Sequence, residues 1–268
     1  MDVESLIQID ISDFLSNHYV DSYTNIPNAP KRLSLSEEFL VLMMDESTAK
    51  LPSNNYPIYL GLICTGVAEL ILMKKVGFER AQGTKDMPKL TILDDSPIIS
   101  DRFLDYLMSK ILKCKQRAFN QVIMHIGRGF IFVKEKRIVG KVVEQLINKK
   151  VLSMTSTKKN TYQWNDSTYK ATIEANCATI ANQHIDDFDD VIESNIREIL
   201  LLLTMSQYSE MTIESLIRKF VERLNEKETI QNNIKSLESY FNRTSSYGHP
   251  INKYLFWYLS AMRQLFSQ

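Results

Sequence analysis

The stretch YLGLICTGVAELILMKKVGFE, residues 59–79, decides the fold of this chain. An apolar run with a glutamate inside it can be a membrane span, a core helix or the wall of a binding site. A span needs about 20 consecutive apolar residues. The run from Tyr56 to Met73 is shorter, and it contains Gly61, Gly66 and Glu69. Placing Glu69 at the centre of a bilayer would cost on the order of 2–3 kcal/mol. The stretch therefore reads as a buried helix of a globular domain. A second apolar run near Leu200, REILLLLTM, is shorter still and reads the same way.

Composition agrees. Hydrophobic residues make up 44% of the 268 positions and charged residues 24%, a globular profile long enough to bury a large core. Only 8 Gly and 7 Pro are present, which favours long helices over a many-stranded sandwich. Cys64, Cys114 and Cys177 are widely spaced and form no C-x-x-C pair, so neither a zinc knuckle nor a disulfide framework is expected. The start MDVESLIQIDISDF carries acids and no Lys or Arg, unlike an export signal, and LFSQ at the end offers no prenylatable cysteine.

Working outward from the central run, LSLSEEFLVLMMDE starts a helix with a capping box, Ser34 at the cap and Glu37 three residues on. VGFERAQGTKDMPKLTIL reads as two short strands around a Gly-containing turn. SDRFLDYLMSKILKCK and VKEKRIVGKVVEQLINKK have helical apolar spacing, and VLSMTS with TYQW forms a hairpin about a Lys-Lys-Asn turn. From Asp166 onward the pattern is almost purely helical. The fold class is mainly α: a single compact helical domain with two small β-hairpins, residues 31–268, behind an N-terminal arm of residues 1–30.

Chemistry is sparse. His18, His125, His184 and His249 lack partners at metal-ligand spacing, and the acidic run at Asp186, Asp187, Asp189 and Asp190 lacks the Gly and terminal Glu of a calcium loop. GRGF at 127–130 is too short for a phosphate cradle, and DDSP at 94–97 reads as a helix-capping turn. No nucleophile elbow, Walker sequence or zincin motif is present, so no enzyme, cofactor or metal is expected.

Charge is zero overall but unevenly placed. Between 110 and 150, Lys110, Lys113, Lys115, Arg117, Arg128, Lys134, Lys136, Arg137, Lys141, Lys149 and Lys150 are opposed only by Glu135 and Glu144. Such a region attracts anionic partners at short range. Two partners fit. One is anionic lipid, with the chain as a peripheral membrane protein. The other is nucleic acid, with the 134–165 helix and hairpin as a winged-helix unit. The helix is largely apolar, which leaves little surface for reading bases and makes nucleic acid the weaker reading.

In their order and spacing these segments resemble the Golgi phosphoprotein 3 family. The resemblance is carried by LSLSEEFLVLMMDE, GLICTGVAELILMKKVGFE, KLTILDDSPIISDRFLDYLMSKI, VGKVVEQLINKKVL with its hairpin, EILLLLTMSQYSEMTIESLI and INKYLFWYLSAM, from about residue 32 to 266. It implies a non-enzymatic adaptor, cytoplasmic and peripheral on the cytosolic face of a membrane, the Golgi in a eukaryote. It also implies binding of phosphatidylinositol 4-phosphate, protein cargo in the form of glycosyltransferase tails, and self-association through the 151–165 hairpin. The lipid- or anion-binding residues it implies are Tyr56, Tyr59, Lys136, Arg137 and Lys141. The chain departs from the family pattern in ways that suggest a divergent or bacterial-type member. Tyr56 and Tyr59 stand where the family has a Trp, the helix Arg falls near Ile63, and two Arg of the basic helix become Lys136 and Val139. Lysine supplies a point charge where arginine supplies a bidentate fork, which weakens recognition of one particular phosphate.

Overall fold

A computed structural model describes residues 32–51, 56–79, 89–114, 118–128, 133–156, 161–182 and 195–209, together with positions 258 and 262. Seven α-helices and two hairpins fill the described residues. The expected arm, 1–30, lies outside them, as do His184, the 186–190 acids and most of the chain after 209.

Helix α1, Leu35–Met43, starts where the capping box predicts it. Glu37 closes the reciprocal half of that box by accepting the Ser34 N–H at 2.6 Å. Helix α2, Tyr56–Leu72, is the long apolar run. Every described side chain from Ile58 to Leu72 is buried, which is the pattern of a helix apolar on all sides at the centre of a core. It touches five other helices: α1, α3 (Arg102–Ile111), α4 (Phe119–Arg128), α5 (Val133–Asn148) and α7 (Ile196–Ser209). The last element, α6 (Thr168–Asn182), packs on α1 and α7.

Gly66 sets how closely α2 meets its neighbours. A Cβ there would stand 2.3 Å from Leu107 Cδ1 and 3.0 Å from Phe103 Cε1, so α2 and α3 approach across a position only glycine fits. Helices α2 and α5 both end in Schellman turns. Lys75 N bonds Leu70 O and Lys74 N bonds Ile71 O. Val151 N bonds Leu146 O and Lys150 N bonds Ile147 O. Lys74 and Lys150 therefore hold the left-handed position, with φ of 55° and 62°, where glycine is usual.

Both hairpins are antiparallel. Strands β1 (Val76–Glu79) and β2 (Lys89–Ile92) pair Val76 with Ile92. Strands β3 (Leu152–Ser156) and β4 (Thr161–Trp164) pair Leu152 with Trp164, with a bulge between Met154 and Ser156. Trp164 Nε1 donates to the Asp45 carbonyl at 3.1 Å, tying the second hairpin to the turn after α1.

Candidate functional site

Glu69, the residue that argued against a membrane span, is fully buried and paired. The Arg197 Nη1 atom lies 3.1 Å from both of its oxygens, and Leu35 N–H donates to Oε2 at 2.9 Å. Arg197 Nη2 donates to the Leu33 carbonyl at 2.9 Å and to Glu38 Oε2 at 3.0 Å. One guanidinium thus locks the start of α1 to α2 and α7. Burial pushes Glu38 up to about 7, against the pull of Arg197 and with the push of Glu69. The cluster is structural: two carboxylates and one cation, all turned inward.

A second internal cluster holds the rear of α5. Lys149 Nζ lies 2.6 Å from Glu37 Oε2, and Gln145 Oε1 accepts Phe103 N–H at 3.1 Å. Burial raises Glu37 while Lys149 pulls it back down. Lys149 is therefore spent inside the molecule and leaves the basic surface expected of residues 110–150. Lys170, also buried, donates to the carbonyls of Val41, Leu42 and Met44, closing the C-terminal end of α1.

The turn at Asp94 does not cap a helix. Asp94 pairs with Lys75 Nζ at 2.5 Å, and this hydrogen bond, with those from Ser96, holds its carboxyl down to about 2. The cap of α3 is Asp101, whose Oδ1 accepts Phe103 N–H at 2.9 Å and Leu104 N–H at 2.8 Å.

The residues expected at an anion site are placed as follows. Tyr59 is 1% exposed, and its hydroxyl donates to the Ile126 carbonyl at 2.9 Å, so it fastens α2 to α4 inside the core. Tyr56 is the first residue of α2, and Lys136 and Arg137 occupy the first turn and a half of α5. Their side chains lie outside the described part of the structure. Val139, at the position of a family arginine, is 7% exposed. Lys141 is half-buried and stands over the Tyr106 ring, 5.4 Å from its centroid. Lys110 stands over the same ring at 5.0 Å. Beside them opens a pocket of about 480 Å³ lined by Pro97, Ile98 and Ile99, by Arg102 and Tyr106 of α3, and by Lys141 of α5. Arg102, Tyr106 and Lys110 were not foreseen as neighbours of Lys141, since α3 and α5 lie some thirty residues apart along the chain.

Little else in the described residues suits chemistry. Cys64, Cys114 and Cys177 are buried, and burial pushes the Cys64 and Cys177 thiols far above their ordinary value, which leaves them unreactive. Among the described residues no group of three His, Cys, Asp or Glu could hold a metal ion. No described helix is long and apolar enough to cross a membrane. As for α5, Ile138, Val139, Val142, Val143, Gln145 and Leu146 are buried, and the exposed positions described on it are Gly140, Glu144 and Asn148.

No protein-family model matches the chain. A VPS74-like protein of Dictyostelium discoideum is 27% identical to it over 237 residues, spanning 82% of this chain and 87% of that protein. VPS74-like proteins and Golgi phosphoprotein 3 form one family. The chain is therefore similar to a member of the Golgi phosphoprotein 3 family. Members of this family are Golgi adaptors, generally without enzymatic activity. The observed architecture, mainly helical with two small antiparallel hairpins, is the one the sequence led us to expect.

Proposed function

We propose that the protein is a non-enzymatic adaptor that settles on the cytosolic face of a membrane, the Golgi by kinship, through the cation-rich first half of α5. One observation carries this reading: Lys134, Lys136, Arg137 and Lys141 lie on one continuous helix of a chain similar to a VPS74-like protein. The unpaired N–H groups at a helix start add partial positive charge where three of these cations already stand. Each lysine or arginine near an anionic bilayer contributes about 1 kcal/mol, so four such residues suffice for reversible attachment. With lysine at 136 and valine at 139, the expected preference is for anionic surface in general over any single phosphoinositide. Kinship also supports protein cargo and self-association through the 151–165 hairpin, where Met154 is 44% exposed.

Flotation on vesicles of phosphatidylcholine alone, with phosphatidylserine, or with phosphatidylinositol 4-phosphate tests the proposal. Recovery should rise on both anionic compositions and fall with added salt. Equal recovery on neutral vesicles, or undiminished binding by Lys136→Ala/Arg137→Ala, would refute it.

A further inference from the structure

Two ammonium groups, from Lys110 and Lys141, converge on the single ring of Tyr106. They stand within roughly 10 Å of each other, about one Debye length at 0.1 M salt, so they repel. Arg102 lines the same pocket, and its side chain is 70% exposed and paired with Glu144 at 3.0 Å. An ion pair that exposed contributes little, so Arg102 can exchange Glu144 for another anion at small cost. Asp105 is the second carboxylate here, and it accepts the Ile98 N–H at 3.1 Å. Three cations therefore face two carboxylates, both already engaged.

The loop over this pocket has an apolar tip held out of the protein. Ile98 is 5% exposed and packs inward, whereas Ile99 is 93% exposed and Pro97 is exposed beside it. The tip is braced at both ends. Lys75 clamps Asp94 and Ser96 on one side, and Asp105 and the Asp101 cap fix the other. A rigid loop that keeps an isoleucine in water loses the free energy of burying it. A bilayer surface would satisfy both features at once, the apolar tip among the acyl chains and the cations at the phosphates.

We infer that the 97–99 loop and the pocket between α3 and α5 form a second membrane contact, in which Ile99 inserts while Arg102, Lys110 and Lys141 hold the phosphate of an anionic phospholipid. This rests on the lipid-binding reading above and extends it from the start of α5 to α3 and the 97–99 loop, with Lys141 common to both.

The test exploits the buried state of all three native cysteines, which lets an Ile99→Cys variant be labelled selectively with an environment-sensitive dye. On phosphatidylserine or phosphatidylinositol 4-phosphate vesicles the dye should shift to the blue, and on phosphatidylcholine alone it should not. Ile99→Ser should weaken flotation about tenfold. Arg102→Ala/Lys110→Ala should weaken it roughly thirtyfold, from the usual contribution of two near-surface cations. Protein that floats on anionic vesicles with an unshifted dye, or variants that float like the unaltered chain while Lys136→Ala/Arg137→Ala does not, would overturn this inference and leave the proposed function standing. Chain that fails to float on any anionic vesicle would sink both. Protection of Lys110 and Lys141 from acylation by inorganic phosphate, with no dye shift on vesicles, would replace the lipid with a free anion and also overturn the assignment.

Discussion

Removing Arg197 should be the most damaging single change to the described core. The guanidinium is 5% exposed and makes contacts with Glu69, Glu38 and the Leu33 carbonyl. Arg197→Ala takes away the guanidinium that pairs with Glu69, which is fully buried. Breaking a buried pair from one side typically costs about 3–5 kcal/mol. The loss has a ceiling, because Glu69 can escape by binding a proton. At pH 7 that costs about 1.4 kcal/mol for each unit above the ordinary carboxyl value, roughly 3 kcal/mol. Glu38 is already held up to about 7 and adds little. The penalty should therefore be about 3–4 kcal/mol at pH 7 and shrink towards roughly 1 kcal/mol near pH 5, as the proton becomes easier to acquire. Urea unfolding followed by circular dichroism at the two pH values measures both numbers, and the melting temperature at pH 7 should fall by roughly 10 °C. The companion Glu69→Gln/Arg197→Met should recover most of the loss, since the amide oxygen still accepts the Leu35 N–H. A loss below about 1 kcal/mol, or one equal at both pH values, would refute the account of this cluster.

Four further outcomes follow from the same geometry. Gly66→Ala should destabilise by about 1–3 kcal/mol in chemical unfolding despite alanine's better helix propensity, because its methyl meets Leu107 Cδ1 at 2.3 Å. Gly140→Ala, where an added Cβ meets nothing within 4 Å on an exposed position of α5, should stabilise by about 0.5–1 kcal/mol in the same assay. Lys150→Gly should raise the melting temperature slightly, by the roughly 0.5–1 kcal/mol released from a left-handed lysine, with vesicle binding nearly unchanged. Glu38 has a folded-state pKa of about 7 against an ordinary 4.5, so the folded protein holds the extra proton between those values. Its contribution is complete below about 4.5 and is lost as pH rises through 7; Glu38→Gln should flatten that slope in urea midpoints taken at pH 5 and pH 7.

Local signals in the sequence located most of the described elements. The capping box at Ser34 and Glu37, the apolar spacing of α3 and α5, and the polar interruptions of both hairpins depend on neighbours a few residues away, and each element lies where those signals put it. No element was expected over helix α4, although Phe119, Val122, Ile123 and Ile126 have helical spacing and are all buried. What could not be read locally was where each charge would go. Arg197 meets Glu69 across 128 positions, Lys149 meets Glu37 across 112, and Lys170 reaches the end of α1 across more than 120. A composition of matched charges says nothing about which of them are consumed inside. Tyr59, which the resemblance implies at the anion site, is buried with its hydroxyl on the Ile126 carbonyl.

The internal charges bear on the surface ones through α5. Its rear is fixed by Lys149 and Gln145 against α1 and α3, and its buried stripe of Ile138, Val142, Val143 and Leu146 settles which way the helix is rotated. With rotation and rear end both fixed, Lys141 has one place to go, over Tyr106 and next to Arg102. Helix α3 is fixed in turn by Asp101 at its cap and by the Gly66 contact with α2. The cation cluster is thus positioned by the core, without needing a ligand to assemble it. An electrostatic surface of this kind loses little conformational freedom when it docks, so a few lysines can hold an adaptor reversibly where flexible ones would be too weakly organised. Glu69 reaches the same surface by another route: it holds α2 to α1 and α7, and α2 is the support on which both α3 and α5 rest.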